Sequence, residues 1–426
     1  MTLIRSSLLN AIAVGVRMLT LLGINKVLAV YVGPAGYAAV GQFQNAVQMI
    51  TVFASGAINT GVTKYTAEYS SDEQKLKRLW KTSGSITLLG SIVCAVGISL
   101  LHNPLAAYFL GSAEYGGVFL WFAASIVLFT FNALLLAILN GKKDVGRYVV
   151  ANIAGSLFSL LITALMAMTY GLYGALIALA VYQSVAFFLT LIICRKTSWF
   201  SLRSLFGRVD PAIARNLGRF ALMALTSAIC VPVGQIVIRN HLGAEFGWKA
   251  AGYWEAMWRL STAYLMLITT TLSVYFLPRL SELEDPDDIK QEIRQGYKII
   301  LPGAAMAGVV IYLMRDVIIA LLFTPDFAPM RELFAWQMVG DALKVGSWVL
   351  AFLMLGKAMF KMFIVAELIY TFGFIGLTYL FTNYWGFKGV AIAHAVNYFV
   401  YWLVVWRATY ALLNKNNVPT LSESRR

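Results

Sequence analysis

Apolar residues run through this chain in long blocks separated by short polar segments, with little alternation at a period of two. About 20 apolar residues carry a helix across the hydrocarbon core of a bilayer. Within lipid, only helices and closed barrels satisfy the backbone's hydrogen bonds, and barrels need short alternating strands. The blocks therefore predict an all-α polytopic membrane protein. Twelve spans are expected, at 7–31, 37–63, 82–106, 116–140, 147–170, 171–194, 217–242, 250–278, 299–323, 332–356, 362–383 and 388–412. The first block reads as a retained span, because it is too long for a cleavable leader and Arg17 interrupts it.

Composition agrees. Of 426 residues, 59% are hydrophobic and 13% charged, against about 45–50% and about 25% for soluble domains. The net charge of +14 would raise nucleic acid as a partner in a soluble chain. Its placement argues otherwise. Of 34 Lys and Arg, 25 fall on the side that holds both termini and four on the other: Arg239, Lys249, Arg331 and Lys388. By the positive-inside rule both termini are expected in the cytoplasm, and no nucleic-acid partner is expected. Cys94, Cys194 and Cys230 have neither zinc-site nor disulfide spacing. His102, His241 and His394 are scattered and read as local hydrogen-bonding residues. No phosphate loop, nucleophile elbow or HExxH motif occurs, nor a stretch long enough for a soluble catalytic domain. A non-enzyme without metal or cofactor is expected.

The chain looks internally duplicated. Gly171-Leu-Tyr-Gly-Ala-Leu-Ile-Ala-Leu-Ala-Val181 returns half a chain later as Gly386-Phe-Lys-Gly-Val-Ala-Ile-Ala-His-Ala-Val396. Ala35-Gly36-Tyr37 returns as Ala251-Gly252-Tyr253, and Lys64 and Arg279 both close a span and open a charged loop. Six spans per copy is an even number, so both copies share one orientation, as in parallel repeat transporters. Two six-helix lobes around a central cavity are expected: 1–194, a basic cytoplasmic linker at 195–219, and 220–426 with its tail. Arg195, Lys196, Arg203, Arg208, Arg215 and Arg219 face only Asp210 in that linker. They read as a topology anchor or as a contact for anionic membrane lipids.

Charges inside the spans carry the candidate chemistry. Arg17 and Lys26 lie in the first span, and no Asp or Glu lies in any of the first six. Ionisable groups in lipid are costly and usually face a protein interior or a wet cavity. A cavity lined by cations alone suits an anion, and a guanidinium fork suits a diphosphate. Asn10 shares the Arg17 face. Lys26, nine residues beyond Arg17, points inward only if the helix bends; otherwise it snorkels to the interface. Gln44, Gln48, Thr51, Ser55 and Asn59 fall within about 80° of arc on one helix. They read as a glycan-facing cavity wall or as a helix-packing seam. In the second half, Arg239 and Arg259 join the diphosphate candidates, although Glu255 lies one turn from Arg259. Asp341 and Lys344 share a face and can pair. Asp341, Lys344, Glu255 and Glu367 form the ion-coupling candidates, since a desolvated carboxylate exchanges protons near neutral pH.

Three stretches carry a family resemblance: Asn59-Thr-Gly-Val-Thr-Lys-Tyr-Thr-Ala-Glu-Tyr69, Ser273-Val-Tyr-Phe-Leu-Pro-Arg-Leu-Ser281 and Phe334-Ala-Trp-Gln-Met-Val-Gly-Asp-Ala-Leu-Lys344. The chain resembles the Wzx flippases of polysaccharide assembly, within the multidrug/oligosaccharidyl-lipid/polysaccharide exporter superfamily. That resemblance implies a bacterial inner-membrane transporter. It implies alternating access that moves an undecaprenyl-diphosphate-linked oligosaccharide, such as lipid III or an O-antigen unit, to the periplasmic leaflet. It also implies other polysaccharide-assembly membrane proteins as partners, and a substrate role for Arg17, Lys26 and the comparable Arg259. Two rivals stand beside it: a cation-coupled multidrug exporter of the same superfamily, and a membrane enzyme acting on lipid-linked sugars.

Overall fold

The structure is a computed structural model that describes residues 3–283, 285–357 and 359–414, with side chains at all of these except 3–10, 219, 220, 223, 274, 278, 360, 412 and 414. The described residues are helical almost throughout and contain no strand. The helices are α1 (Leu3–Tyr31), α2 (Gly33–Ala54), α3 (Asn59–Glu68), α4 (Glu73–Leu110), α5 (Gly116–Gly141), α6 (Val145–Arg195), α7 (Pro211–Phe246), α8 (Trp248–Thr271), α9 (Leu277–Glu282), α10 (Pro286–Leu313), α11 (Arg315–Leu322), α12 (Phe334–Gly356), α13 (Phe360–Trp385) and α14 (Gly389–Asn414). Seven helical stretches among the described residues are long and apolar enough to cross a membrane. The chain is a multi-pass membrane protein.

Two of those stretches, Val145–Arg195 and Lys361–Ala411, are 51 residues long. Each is interrupted by a glycine in a conformation that L-residues rarely adopt: Gly171 at φ 55°, ψ −132° and Gly386 at φ 63°, ψ −150°. Three residues on, a Cβ at Gly174 would lie 1.9 Å from the Met166 carbonyl oxygen, and one at Gly389 would lie 2.3 Å from that of Phe381. Residues eight apart in a straight helix are about 12 Å apart along the axis, so the chain turns sharply at both places. The recurring Gly-x-x-Gly thus marks the same kind of bend at both places. Alanine at Gly171 or Gly386 is expected to cost about 1–2 kcal/mol of backbone strain. Thermal melting of the purified protein checks this. Gly15→Ala, whose Cβ would have nothing within 4 Å, is the control and should not lower the midpoint.

The chain divides into two compact units, 1–232 and 233–426. In unit 1 an apolar core of Ile58, Val62, Leu79, Trp80, Leu134, Leu135 and Ile138 gathers α3, α4 and α5. The expected linker packs back onto α4. Leu205 is buried, the Ser85 hydroxyl donates to the Gly207 carbonyl at 2.7 Å, and the Asp210 amide donates to Thr82 Oγ1 at 3.0 Å. Gly84 makes room for this, since a Cβ there would lie 1.9 Å from the Leu205 carbonyl oxygen.

The second span differs from expectation. The polar stripe predicts one helix over 37–63, but α2 stops at Ala54, and Gly56 and Ala57 turn the chain at φ 66° and 55° before α3 begins. The amides of Gly56 and Ala57 donate to the Phe53 and Val52 carbonyls, both at 2.9 Å, and tie off the helix end. A left-handed pair of this kind ends helices by satisfying their last carbonyls.

Candidate functional site

In unit 1, α1, α2, α5 and α6 surround a polar cavity of about 210 Å³. Helix α1 contributes Arg17, Thr20, Leu21 and Ile24, a spacing that keeps them on one face. Helix α2 contributes Gln44 and α5 contributes Asn132. Helix α6 adds Asn152, Ser156 and Ser159 from its first half and Tyr182 and Gln183 from its second. Gly155, Ala151 and Ala186 keep space open between the larger side chains.

The wall is internally braced. Asn132 Nδ2 donates to Gln183 Oε1 at 2.5 Å, and Gln183 Nε2 donates to Tyr182 Oη at 3.2 Å. Thr20 Oγ1 donates to the Arg17 carbonyl at 2.8 Å, which points its hydroxyl back along α1. Asn132 Oδ1 is buried without a hydrogen-bond partner. Arg17 is the charged residue of the lining, which holds no carboxylate. A single guanidinium among neutral amides and hydroxyls favours an anion that also carries hydroxyl groups.

The structure places the sequence-derived candidates unevenly. Arg17 and Gln44 meet in this cavity. Lys26 is half-buried and is not part of the lining. Helix α1 runs unbroken from Leu3 to Tyr31, so nine residues carry Lys26 to the opposite face. Asn10, expected on the Arg17 face, lies outside the described side chains. Gln48 and Thr51 continue the Gln44 face of α2 beyond the cavity lining. Ser55 and Asn59 leave that line: Ser55 is the buried residue that ends α2 and donates to the Val52 carbonyl at 3.0 Å, and Asn59 opens α3 after the turn.

In unit 2, Arg239 Nη1 donates to Glu255 Oε2, and Arg259 Nε donates to Glu255 Oε1 at 2.6 Å. The Arg239 and Glu255 side chains are 1% and 5% exposed. Two diphosphate candidates therefore share one carboxylate in a buried cluster. Asp341 differs from expectation too. Its carboxylate meets His394 instead, with Nε2 3.1 Å from Oδ1. The Lys344 ammonium reaches past it, over the rings of Trp258, Trp348 and Tyr398 at 4.6, 5.0 and 5.5 Å. His394 comes from α14, which no spacing along α12 could reveal. Glu367 is half-buried on α13, where its backbone carbonyl accepts from Thr371 at 2.9 Å.

The pattern along the chain does not single out Asn132, Asn152, Ser156, Ser159 or Gln183. Asn152, Ser156 and Ser159 have i, i+4, i+7 spacing, a signal present in the chain. Asn132 and Gln183 are isolated polar residues in apolar runs and gain meaning only by meeting each other across helices.

The family model described as polysaccharide biosynthesis protein matches residues 3–284. A protein named lipid III flippase from Escherichia coli (strain K12) is 34% identical over 414 residues, covering 96% of this chain and 99% of that protein. One of the same name from Shigella flexneri matches to the same extent. Among solved structures, an inward-facing multidrug resistance MATE family transporter of the MOP superfamily aligns with a TM-score of 0.79 at 16% identity, covering 94% of this chain and 95% of the other. At that identity the likeness is one of fold.

Proposed function

The chain belongs to the polysaccharide biosynthesis protein family, and from that premise we propose that it is a flippase for a lipid-linked oligosaccharide. It carries an undecaprenyl-diphosphate-linked glycan, of which lipid III is the named example among its relatives. It works in the bacterial inner membrane with both termini in the cytoplasm, and moves the glycan to the periplasmic leaflet. Twelve spans in two six-helix lobes around a central cavity provide alternating access. Other polysaccharide-assembly membrane proteins supply or receive the glycan.

The observation that carries this reading is the unit 1 cavity, with Arg17 among amides and hydroxyls and no carboxylate in its lining. In this reading Arg17 grips the diphosphate, and Gln44, Asn132 and Gln183 meet the first sugars. Gln48 and Thr51 extend the polar path, while the polyprenyl tail stays in lipid. Lys26, Arg239 and Arg259 have weaker claims on phosphate, the first by its face and the others by their shared Glu255. Asp341, Lys344 and Glu367 lie in unit 2, as candidates for coupling to an ion gradient.

Deletion of the gene tests the reading. A lipid-linked glycan should accumulate on the cytoplasmic leaflet, and the wild-type gene should clear it. An unchanged glycan pool would overturn the proposal. Asn132→Leu or Gln183→Leu should each lower translocation about fivefold, the equivalent of about 1 kcal/mol for one neutral hydrogen bond. Initial rates in proteoliposomes check this. The multidrug-exporter reading shares the fold, but a cationic drug requires negative charge where this cavity offers a guanidinium. Drug resistance on overexpression, with the glycan pool unchanged, would favour it.

A further inference from the structure

Unit 2 buries a set of polar side chains where the other copy of the repeat is apolar. Gln337, Asp341 and Lys344 on α12 and His394 on α14 are buried. In the register that aligns Gly386 with Gly171, the corresponding positions of the first copy are Phe122, Ile126, Phe129 and Leu179. Of these, Phe122, Ile126 and Phe129 are buried core residues. The fold therefore accepts an apolar core at these places. Replacing buried ion pairs by apolar groups of similar volume is often neutral or stabilising, so stability alone does not account for this cluster.

Its geometry points to a proton. Asp341 Oδ2 accepts from Ser261 Oγ at 2.5 Å and from Tyr264 Oη at 2.7 Å. Asp341 Oδ1 lies 3.2 Å from Gln337 Nε2 and 3.1 Å from His394 Nε2. Ser261, Tyr264 and Gln337 bring hydrogens to the carboxylate, and so does His394 in the tautomer that carries its proton on Nε2, a nitrogen that also lies 3.2 Å from Gln337 Nε2. An alkali or alkaline-earth cation needs several oxygen lone pairs instead. His394 Nδ1 is buried without a hydrogen-bond partner and is the atom left to take up a proton.

The titratable groups around His394 come from every helix packed there. Helix α12 supplies Asp341 and Lys344, α8 supplies Tyr264, α13 supplies Glu367 and Tyr370, and α14 itself supplies Tyr398 and Tyr401. Tyr297 of α10 lies farther out, bonded to Trp402 and to the Gly346 carbonyl. The Tyr398 ring is a neighbour of both His394 and Lys344. Its centroid is 4.9 Å from that of His394 and 5.5 Å from the Lys344 ammonium. Gly340 lets His394 sit against α12, since a Cβ there would lie 2.3 Å from the imidazole Cδ2. A proton on His394 would add a second positive charge to a cluster that holds Lys344 already.

We propose that His394 and Asp341 form a proton-binding site in unit 2, that Lys344 is the fixed charge opposing its loading, and that this loading drives translocation. The last part rests on the flippase reading; the proton site itself does not.

Tryptophan emission of the purified full-length protein tests the site, because the Trp254 and Trp258 rings lie 6.1 and 5.9 Å from His394. Acidification from about pH 8 to about pH 5, the range in which histidine charges, should quench emission in one step. Trp254→Phe with Trp258→Phe should remove that step, and so should His394→Leu, which copies the packing of Leu179. Lys344→Gln should move the midpoint to higher pH and Asp341→Asn to lower pH. Exchange of sodium for choline should move nothing. If His394→Leu does not fold, the two opposite shifts decide the matter. A step that survives in folded His394→Leu, shifts of the wrong sign, or a sodium dependence would overturn the proton site.

Proteoliposomes holding a fluorescently labelled undecaprenyl-diphosphate-linked oligosaccharide test the coupling. A pH gradient should accelerate translocation by the wild type and leave His394→Leu unchanged. Gradient dependence that persists in His394→Leu overturns the coupling. Absence of wild-type translocation under any gradient overturns the flippase reading and leaves the emission test standing.

Discussion

Replacing Arg17 by alanine is expected to lower translocation of the lipid-linked glycan by about 10- to 100-fold while the protein still folds. Arg17 brings the charge to the unit 1 cavity, and the other lining residues are neutral. A charge-assisted hydrogen bond contributes about 1.5–3 kcal/mol, and about 1.4 kcal/mol is tenfold in rate. Because the lining holds no carboxylate, truncation leaves no buried anion there without its partner, so melting should change little. Arg17→Lys should recover part of the rate, since it restores the charge but not the two-pronged fork. The measurement is the initial rate in proteoliposomes, normalised to protein inserted. Wild-type flux in Arg17→Ala would remove this residue from the mechanism. A large fall in melting temperature would make it a structural residue instead.

Glu255→Ala should produce the largest loss of stability, about 3–5 kcal/mol, the usual cost of removing one member of a buried ion cluster. Glu255 is the shared partner of Arg239 and Arg259, and Arg239 is 1% exposed. Without the carboxylate, two guanidinium groups remain beside each other in a medium that solvates charge poorly. Adding Arg239→Met should restore part of the loss, because it removes one of those two charges. Thermal melting of the detergent-solubilised protein measures both. The result separates two roles for Glu255: a carboxylate that only exchanges protons could be replaced by glutamine with altered coupling and unchanged melting. A clamp on two arginines loses stability in the glutamine variant as well.

Pairing along one helix was legible in these clusters, and pairing across helices was not. Glu255 and Arg259 are one turn apart, and spacing alone links them. Arg239 lies on the preceding helix, and only the α7–α8 packing brings it to the same carboxylate. Asp341 and Lys344 also had pairing distance along α12, yet His394 of α14 takes the carboxylate and Lys344 lies among aromatic rings. A long side chain in a crowded core follows the partners that other helices present. The polar stripe of the second span was legible as far as Thr51 and failed at Ser55. Gly56 and Ala57 end the helix there, and a pair of small residues gives no strong warning of a break.

By itself, the sequence determined the all-helical membrane character, because lipid leaves a long apolar run no other way to satisfy its backbone. It also determined that the charges inside the apolar blocks of the first half are all positive, and that the Gly171 and Gly386 segments recur; that both glycines mark bends at positive φ came from the structure. The tertiary structure alone decided which polar residues share a site. Asn132 meets Gln183 51 residues away, and Asp341 meets His394 53 residues away. Asn132, Gln183 and His394 have mostly apolar sequence neighbours, so no local pattern marks these pairings. Contacts of that kind arise when helices pack, and periodicity along one helix reports only which face is turned inward, not which residue waits on the other side.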